Sequence, residues 1–150
     1  MQMLGWWARL SPTETPGDTT RAEWARRAFV WLALAFSACV VFQVFLLGLQ
    51  LFGAVGSDAE LHRNFAYLYG WLLPVMLIVG RIGHVNPPTM ALTGLALVLY
   101  AVQTILPAFT KQLPVLGPLH AINALVLFAL GLWLAQRVNS RPPADAGERV

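Results

Sequence analysis

The chain has 150 residues, 57% of them hydrophobic and 11% charged, with a formal net charge of +3. A soluble domain carries about 25% charged residues, and a mean hydropathy of +0.61 leaves more apolar surface than a globule this small can hide. The composition therefore excludes an ordinary soluble domain and points to an integral membrane protein, and the small positive excess makes no case for nucleic acid.

Residues 1–10, with Trp6, Trp7 and Arg9, suit a segment lying along a membrane surface. Residues 11–20 (SPTETPGDTT) read as a polar linker, so 1–20 form a cytoplasmic N-terminal segment. Thr20 followed by Glu23 has the form of a capping box and starts the first helix near Arg21. The first apolar run, Ala28 to about Gly53, is too long for the core of a signal peptide and has no small-residue cleavage site at a useful distance, so it is read as a retained helix. Its cysteine, Cys39, is the only one in the chain and reads as a small buried residue with no disulfide or zinc role.

Three more apolar runs follow: His62 to Gly80, about Thr89 to Phe109, and Leu119 to Gln136. Crossing the hydrocarbon core takes about 20 residues, and in lipid the backbone must satisfy its own hydrogen bonds, so all four are helices. The expected helices are about 21–53, 62–80, 89–109 and 119–136, within a transmembrane domain at 21–137 and before a disordered cytoplasmic tail at 138–150. The connections at about 54–61, 81–88 and 110–118 are short. Short connections make neighbouring helices antiparallel, so the expected fold is an all-α, up-down-up-down four-helix transmembrane bundle. Asn86-Pro87-Pro88 fits a turn and helix start. Pro74 should kink the second helix and free the carbonyl of Gly70, and Pro107 falls near the outer end of the third. Gly48, Gly70 and Gly131 are expected to allow close helix contact.

Of the ten Lys and Arg residues, Arg9, Arg21, Arg26, Arg27, Arg81, Arg137, Arg141 and Arg149 fall on one side of this topology, and Arg63 and Lys111 on the other. The positive-inside rule then puts both termini in the cytoplasm and the loops with Asp58, Glu60 and Lys111 outside.

The two halves share an ordered set of residues. Gln43 precedes Leu61-His62 with Ala66 four residues on and Arg81 at the inner end; Gln103 precedes Leu119-His120 with Ala124 four residues on and Arg137 at the inner end. This suggests two repeated helical hairpins related by an axis along the membrane normal. The second and fourth helices run in the same direction and are diagonal partners, so His62 and His120 should face each other at one depth. Alanine at +4 lies on the same face one turn deeper and leaves room for something flat.

Two opposed imidazoles suit bis-histidine ligation of a b-type haem, with no open iron position, and hence electron transfer. Arg63 is the outer-face cation best placed for a propionate, ahead of Lys111. Phe65, Tyr69, Leu127 and Phe128 are candidates to pack on the ring. Gln43 and Gln103 need partners when buried: each other, a histidine, or a quinone head group. They also read as interhelical hydrogen-bond glue, and a single interfacial histidine as an ordinary surface residue; it is the matched pair that argues for a site. Trp31, Trp71, Trp133, Tyr67 and Tyr100 read as packing or interface anchors, and His84 as a solvated loop residue. The helices hold no Asp, Glu, Lys or Arg at membrane depth, which argues against a proton relay, and no nucleotide, zinc-protease or hydrolase motif is present.

The stretches FQVFLLGLQLFG, ELHRNFAYLYGWLL and LHAINALVLFALGLWLAQR resemble a bacterial family of small four-helix membrane proteins without an assigned function, over about residues 28–137. The pattern is also similar to one half of haem A synthase, whose four-helix halves carry histidines at the outer ends of their second and fourth helices. That similarity implies His62 and His120 as axial ligands, and the resemblance to the bacterial family, with the expected topology, implies a bacterial cytoplasmic membrane as the location. The chain corresponds to one half only, lacks the synthase's cysteine pair and has no carboxylate within its helices, so the resemblance implies a fold and a haem site more than a reaction. The expectation is a haem b protein for electron transfer, to or from quinone, or a small subunit of a redox complex or a homodimer, rather than a stand-alone enzyme. The rival is a non-haem accessory or assembly subunit. A transporter is disfavoured, because no charge is buried and Pro74 has no counterpart in the other half.

Overall fold

The structure, a computed structural model, describes residues 16–54 and 60–140. Among these residues the regular structure is entirely helical: α1 (Pro16–Leu51), α2 (Glu60–Gly70), α3 (Leu72–Ile82), α4 (Pro87–Ile105), a 3-10 turn (Leu106–Phe109) and α5 (Leu116–Asn139). The expected surface segment at 1–10, Asp58 of the first connection and the tail beyond 140 lie outside the described residues. Four stretches are long and apolar enough to cross a membrane: Gly17–Leu51, Glu60–Ile82, Pro87–Phe109 and Leu116–Asn139. Only 22–33% of the most apolar window of each is buried inside the protein. Most of the apolar surface thus faces outward, an arrangement suited to lipid as the solvent.

The helix ends follow from local chemistry. α1 begins at Pro16, not near Arg21, with Asp18 in its first turn. Proline is favoured there and the carboxylate meets the positive end of the helix dipole. Thr20 and Glu23 therefore lie within the helix rather than at its cap, and the expected linker is helical from residue 16 onward. α5 starts three residues earlier than expected, with Pro118 in its first turn. α4 starts as expected at Asn86, whose side chain accepts from the Thr89 N–H at 2.8 Å, ahead of two prolines that have no N–H to satisfy.

Prolines also divide the two middle spans. Pro74 cannot donate to the Gly70 carbonyl, and the helix is interrupted at Trp71 between α2 and α3, resuming with Val75 N–H on Trp71 O at 3.3 Å. Pro107 cannot donate to the Gln103 carbonyl, and α4 tightens into the 3-10 turn at Leu106.

The buried residues of each span recur at alternating steps of four and three. In α1 they include Phe29, Ala33, Phe36, Val40 and Gln43; in α4 they are Thr89, Thr93, Ala96, Tyr100 and Gln103. In α2 and α3 the series is Tyr69, Leu73, Met76 and Gly80; in α5 it includes Leu127, Gly131, Leu134 and Val138. A 3.5-residue period keeps one seam on its neighbours and winds helices into a left-handed bundle. α1 packs most heavily on α5 and also on α3; α4 packs on α3 and α5. Each span thus has two neighbours, and the second and fourth spans are diagonal. α2 leans chiefly on α1, whereas α3 touches both α1 and α4, so the bundle is tight at the α3 end and looser at the α2 end.

Two glycines permit the closest approaches. A Cβ on Gly131 would land on the Ser37 hydroxyl and Phe36 ring of α1, and one on Gly70 would sit 2.5 Å from Tyr100 Cε1. Gly48, also expected at a contact, has nothing within 4 Å of its Cβ position, because it lies off the buried seam of α1.

Candidate functional site

Continuing each seam toward the looser end leads to the site. Steps of three and four outward from Tyr69 reach Ala66 and His62, and from Leu127 reach Ala124 and His120. The seams of α1 and α4 reach Gln43 and Gln103, which are 7% and 8% exposed. All of these residues, with Arg63, line one cavity of about 830 Å³. That volume is within the range of about 300–1,000 Å³ typical of ligand and cofactor clefts. The remaining walls are mainly apolar or aromatic, including Val40, Tyr69, Tyr100, Leu127 and Phe128. Arg63 is the only charged side chain among the lining residues. All seven residues expected at the site are thus brought together.

His120 is held at both ring nitrogens. Its Nδ1 lies 3.0 Å from the Gln103 carbonyl oxygen, and its Nε2 lies 3.2 Å from Gln103 Nε2. A carbonyl only accepts, so Nδ1 carries the proton and Nε2 presents its lone pair to the Gln103 amide. The Gln103 carbonyl is available because Pro107, four residues later, has no N–H to give it. Asn123 fixes the amide's other end: its Nδ2 donates to Gln103 Oε1 at 2.7 Å and to Leu99 O at 2.9 Å.

The first half of the site is built differently. Gln43 Nε2 donates to the backbone carbonyl of His62 at 2.9 Å. Among the described residues Gln43 Oε1 and His62 Nδ1 are both buried with no hydrogen-bond partner. Leaving such a group unpaired costs about 1–3 kcal/mol; Thr89 Oγ1, at the other end of α4, is in the same condition. Each glutamine contacts its own histidine, but through different atoms.

Tyr100 and Asn123 are site residues that the sequence reading missed. Tyr100, expected as packing or an interface anchor, lines the cavity, and its hydroxyl donates to the Ala66 carbonyl. It belongs to the buried seam of α4, four residues after Ala96 and three before Gln103. Asn123 lies three residues beyond His120 on the same helical face, and that polar i, i+3 pair was the available signal. Phe65 lies behind the cavity rather than on it, against Phe42 and Tyr69 at centroid distances of 5.0 and 5.4 Å. Lys111 is not among the lining residues, and His84 is at the other end of the bundle with Arg26 and Arg137.

Among the described residues no group of three or more His, Cys, Asp or Glu side chains converges as a metal cage. Two imidazoles alone suit a metal that arrives with most of its ligands already in place, as the iron of a porphyrin does. A ligating histidine typically donates its second ring N–H to a carbonyl or carboxylate, which fixes its tautomer. His120 already has that arrangement.

No curated protein and no solved structure matches the chain. Residues 43–110, from Gln43 through the 3-10 turn and so including His62 and Gln103 but not His120, match the model of a family of unknown function (DUF6220).

Proposed function

We propose that the cavity is a haem b site with His62 and His120 as axial ligands, in a small electron-transfer protein or redox-complex subunit of a bacterial cytoplasmic membrane. The observation that carries this reading is the meeting, in one cavity of about 830 Å³, of two histidines that extend the seams of diagonal spans. Ala66 and Ala124, one turn deeper, keep the space between them clear. Bound haem would cycle between ferric and ferrous iron and so carry single electrons. The protein's part is to hold the two imidazoles, exclude water with an apolar wall and place Arg63 near a propionate. His120 offers Nε2 with its tautomer set; the Gln103 amide must swing off that nitrogen for ligation. His62 Nδ1 needs an acceptor, and the buried Gln43 Oε1 is the unpaired acceptor nearby in the seam. A quinone is the electron partner best suited to the bilayer.

The same reading includes an up-down-up-down bundle made of two repeated hairpins, with both termini cytoplasmic. Supporting it, the seams of α1 and α4 coincide at a constant offset of 60 residues from Phe29/Thr89 to Gln43/Gln103, and those of the second and fourth spans at 58 from His62/His120 to Gly80/Val138.

One observation favours a second reading, a non-haem accessory subunit. Both ring nitrogens of His120 already have protein partners, as expected for a histidine that only joins helices.

An absorption spectrum separates the two. From haem-replete cells the purified protein is expected to be red, with a Soret band and resolved α and β bands on reduction. His62→Ala and His120→Ala should each abolish the low-spin spectrum. Colourless protein would sink the haem reading and leave the accessory one, which predicts co-purification with a larger complex.

A further inference from the structure

The end of the bundle away from the histidines has its own small polar recess, lined by Arg26, His84, Val85, Asn86, Arg137 and Val138. These residues come from α1, the turn before α4, and the end of α5. The turn is pressed onto α1: a Cβ on Gly83 would sit 3.0 Å from both Arg26 N and Arg26 Cγ. The next residue, His84, has φ 49°, a left-handed conformation uncommon outside glycine and one that needs a reason. Arg137 is held over the Trp133 ring at 4.9 Å. Among the described residues neither arginine forms an ion pair with a carboxylate. Asn86 is already occupied in capping Thr89.

We infer that this recess binds the phosphate of an anionic phospholipid headgroup. Its lining carries two arginines that no carboxylate of the described residues pairs, and arginine forms strong charge-assisted bonds to phosphate oxygens. Its volume, about 20 Å³, admits roughly one oxygen-sized group, so a single phosphate oxygen enters while the rest of the headgroup stays outside. Its level favours a lipid over a soluble phosphate. Trp24, two residues before Arg26, and Trp133, four before Arg137, are 73% and 46% exposed at this end of membrane-length helices. Exposed tryptophans settle at the headgroup layer, and basic recesses between spans at that layer take acidic headgroups. This inference is independent of the haem reading.

The test is native mass spectrometry of the full-length protein in detergent, titrated with phosphatidylglycerol or phosphatidylcholine. Phosphatidylglycerol should be retained and phosphatidylcholine lost. Arg26→Gln and Arg137→Gln should each weaken retention about fivefold, while Arg137→Lys should keep most of it. Arg21→Gln, an exposed arginine outside the recess, should change nothing. Equal retention of the two lipids, or an equal loss with Arg21→Gln, would overturn the proposal by showing no site or only diffuse charge. Displacement of the lipid by millimolar inorganic phosphate would overturn the lipid assignment in favour of a soluble phosphate.

Discussion

Gln43 is the residue whose replacement tests the proposed haem site most sharply. Its Oε1 is a buried acceptor with no donor among the described residues, while its Nε2 is bonded to His62 O. Gln43→Leu removes one bond but also one buried unpaired oxygen, so protein purified without added haem should melt within about 1 kcal/mol of wild type, by the small net worth of a single hydrogen bond. If Oε1 serves His62 Nδ1–H in the loaded protein, the same change should weaken haem retention about tenfold, the usual scale for such supporting residues. Haem titration followed by absorbance, beside thermal melting, gives both numbers. Loss of stability without loss of haem affinity would show the glutamine to be glue. The histidines were visible in the sequence because a polar residue at the mouth of an apolar run is conspicuous. Asn123 was legible only as a polar neighbour of His120 three residues on; its role depends on which oxygen lies across from it, and packing shows that.

At the level of the elements, Pro107 is expected to act through what it lacks. In Pro107→Ala the new N–H competes for the Gln103 carbonyl and continues α4 as a regular helix. His120 Nδ1 then loses its acceptor. Nitrogen-15 NMR of labelled histidine should show the Nδ1–H form in the parent protein and a mixture of tautomers in the variant; an unchanged tautomer would refute the role given to proline. The glycine contacts give a second pair of expectations. Gly131→Ala should destabilise by about 1–3 kcal/mol, the range for overpacking, because its Cβ meets Ser37 and Phe36. Gly48→Ala, in open space, should be neutral or mildly stabilising through helix propensity. Both are read from melting in detergent. Helix count and the proline positions were legible in the sequence, since length, hydropathy and missing N–H groups are local properties. The start of α1 at Pro16 was misplaced because a capping-box pattern at Thr20 and Glu23 competes with proline and Asp18 one turn earlier. The idle Gly48 was indistinguishable from Gly131 until the seam was known.

For the molecule as a whole, orientation is testable without any ligand. In a Cys39→Ala background, His84→Cys should be labelled by an impermeant maleimide only after the cells are opened, and Gln112→Cys in intact cells whose outer barrier has been made permeable. The reverse pattern would invert the topology. The diagonal relation of the second and fourth spans was anticipated from connection lengths alone. The looseness around α2 was not, since it depends on how far each half-span leans on its neighbours. The two glutamine–histidine contacts also bear on how such a protein is assembled. They join residues only 19 and 17 positions apart, so each half-site closes within consecutive helices. Contacts of short sequence separation form early, and the first pair can be complete before the last helix leaves the ribosome. Only the meeting of the two halves requires distant parts of the chain to find each other, which makes that final docking the step a bound ligand would drive.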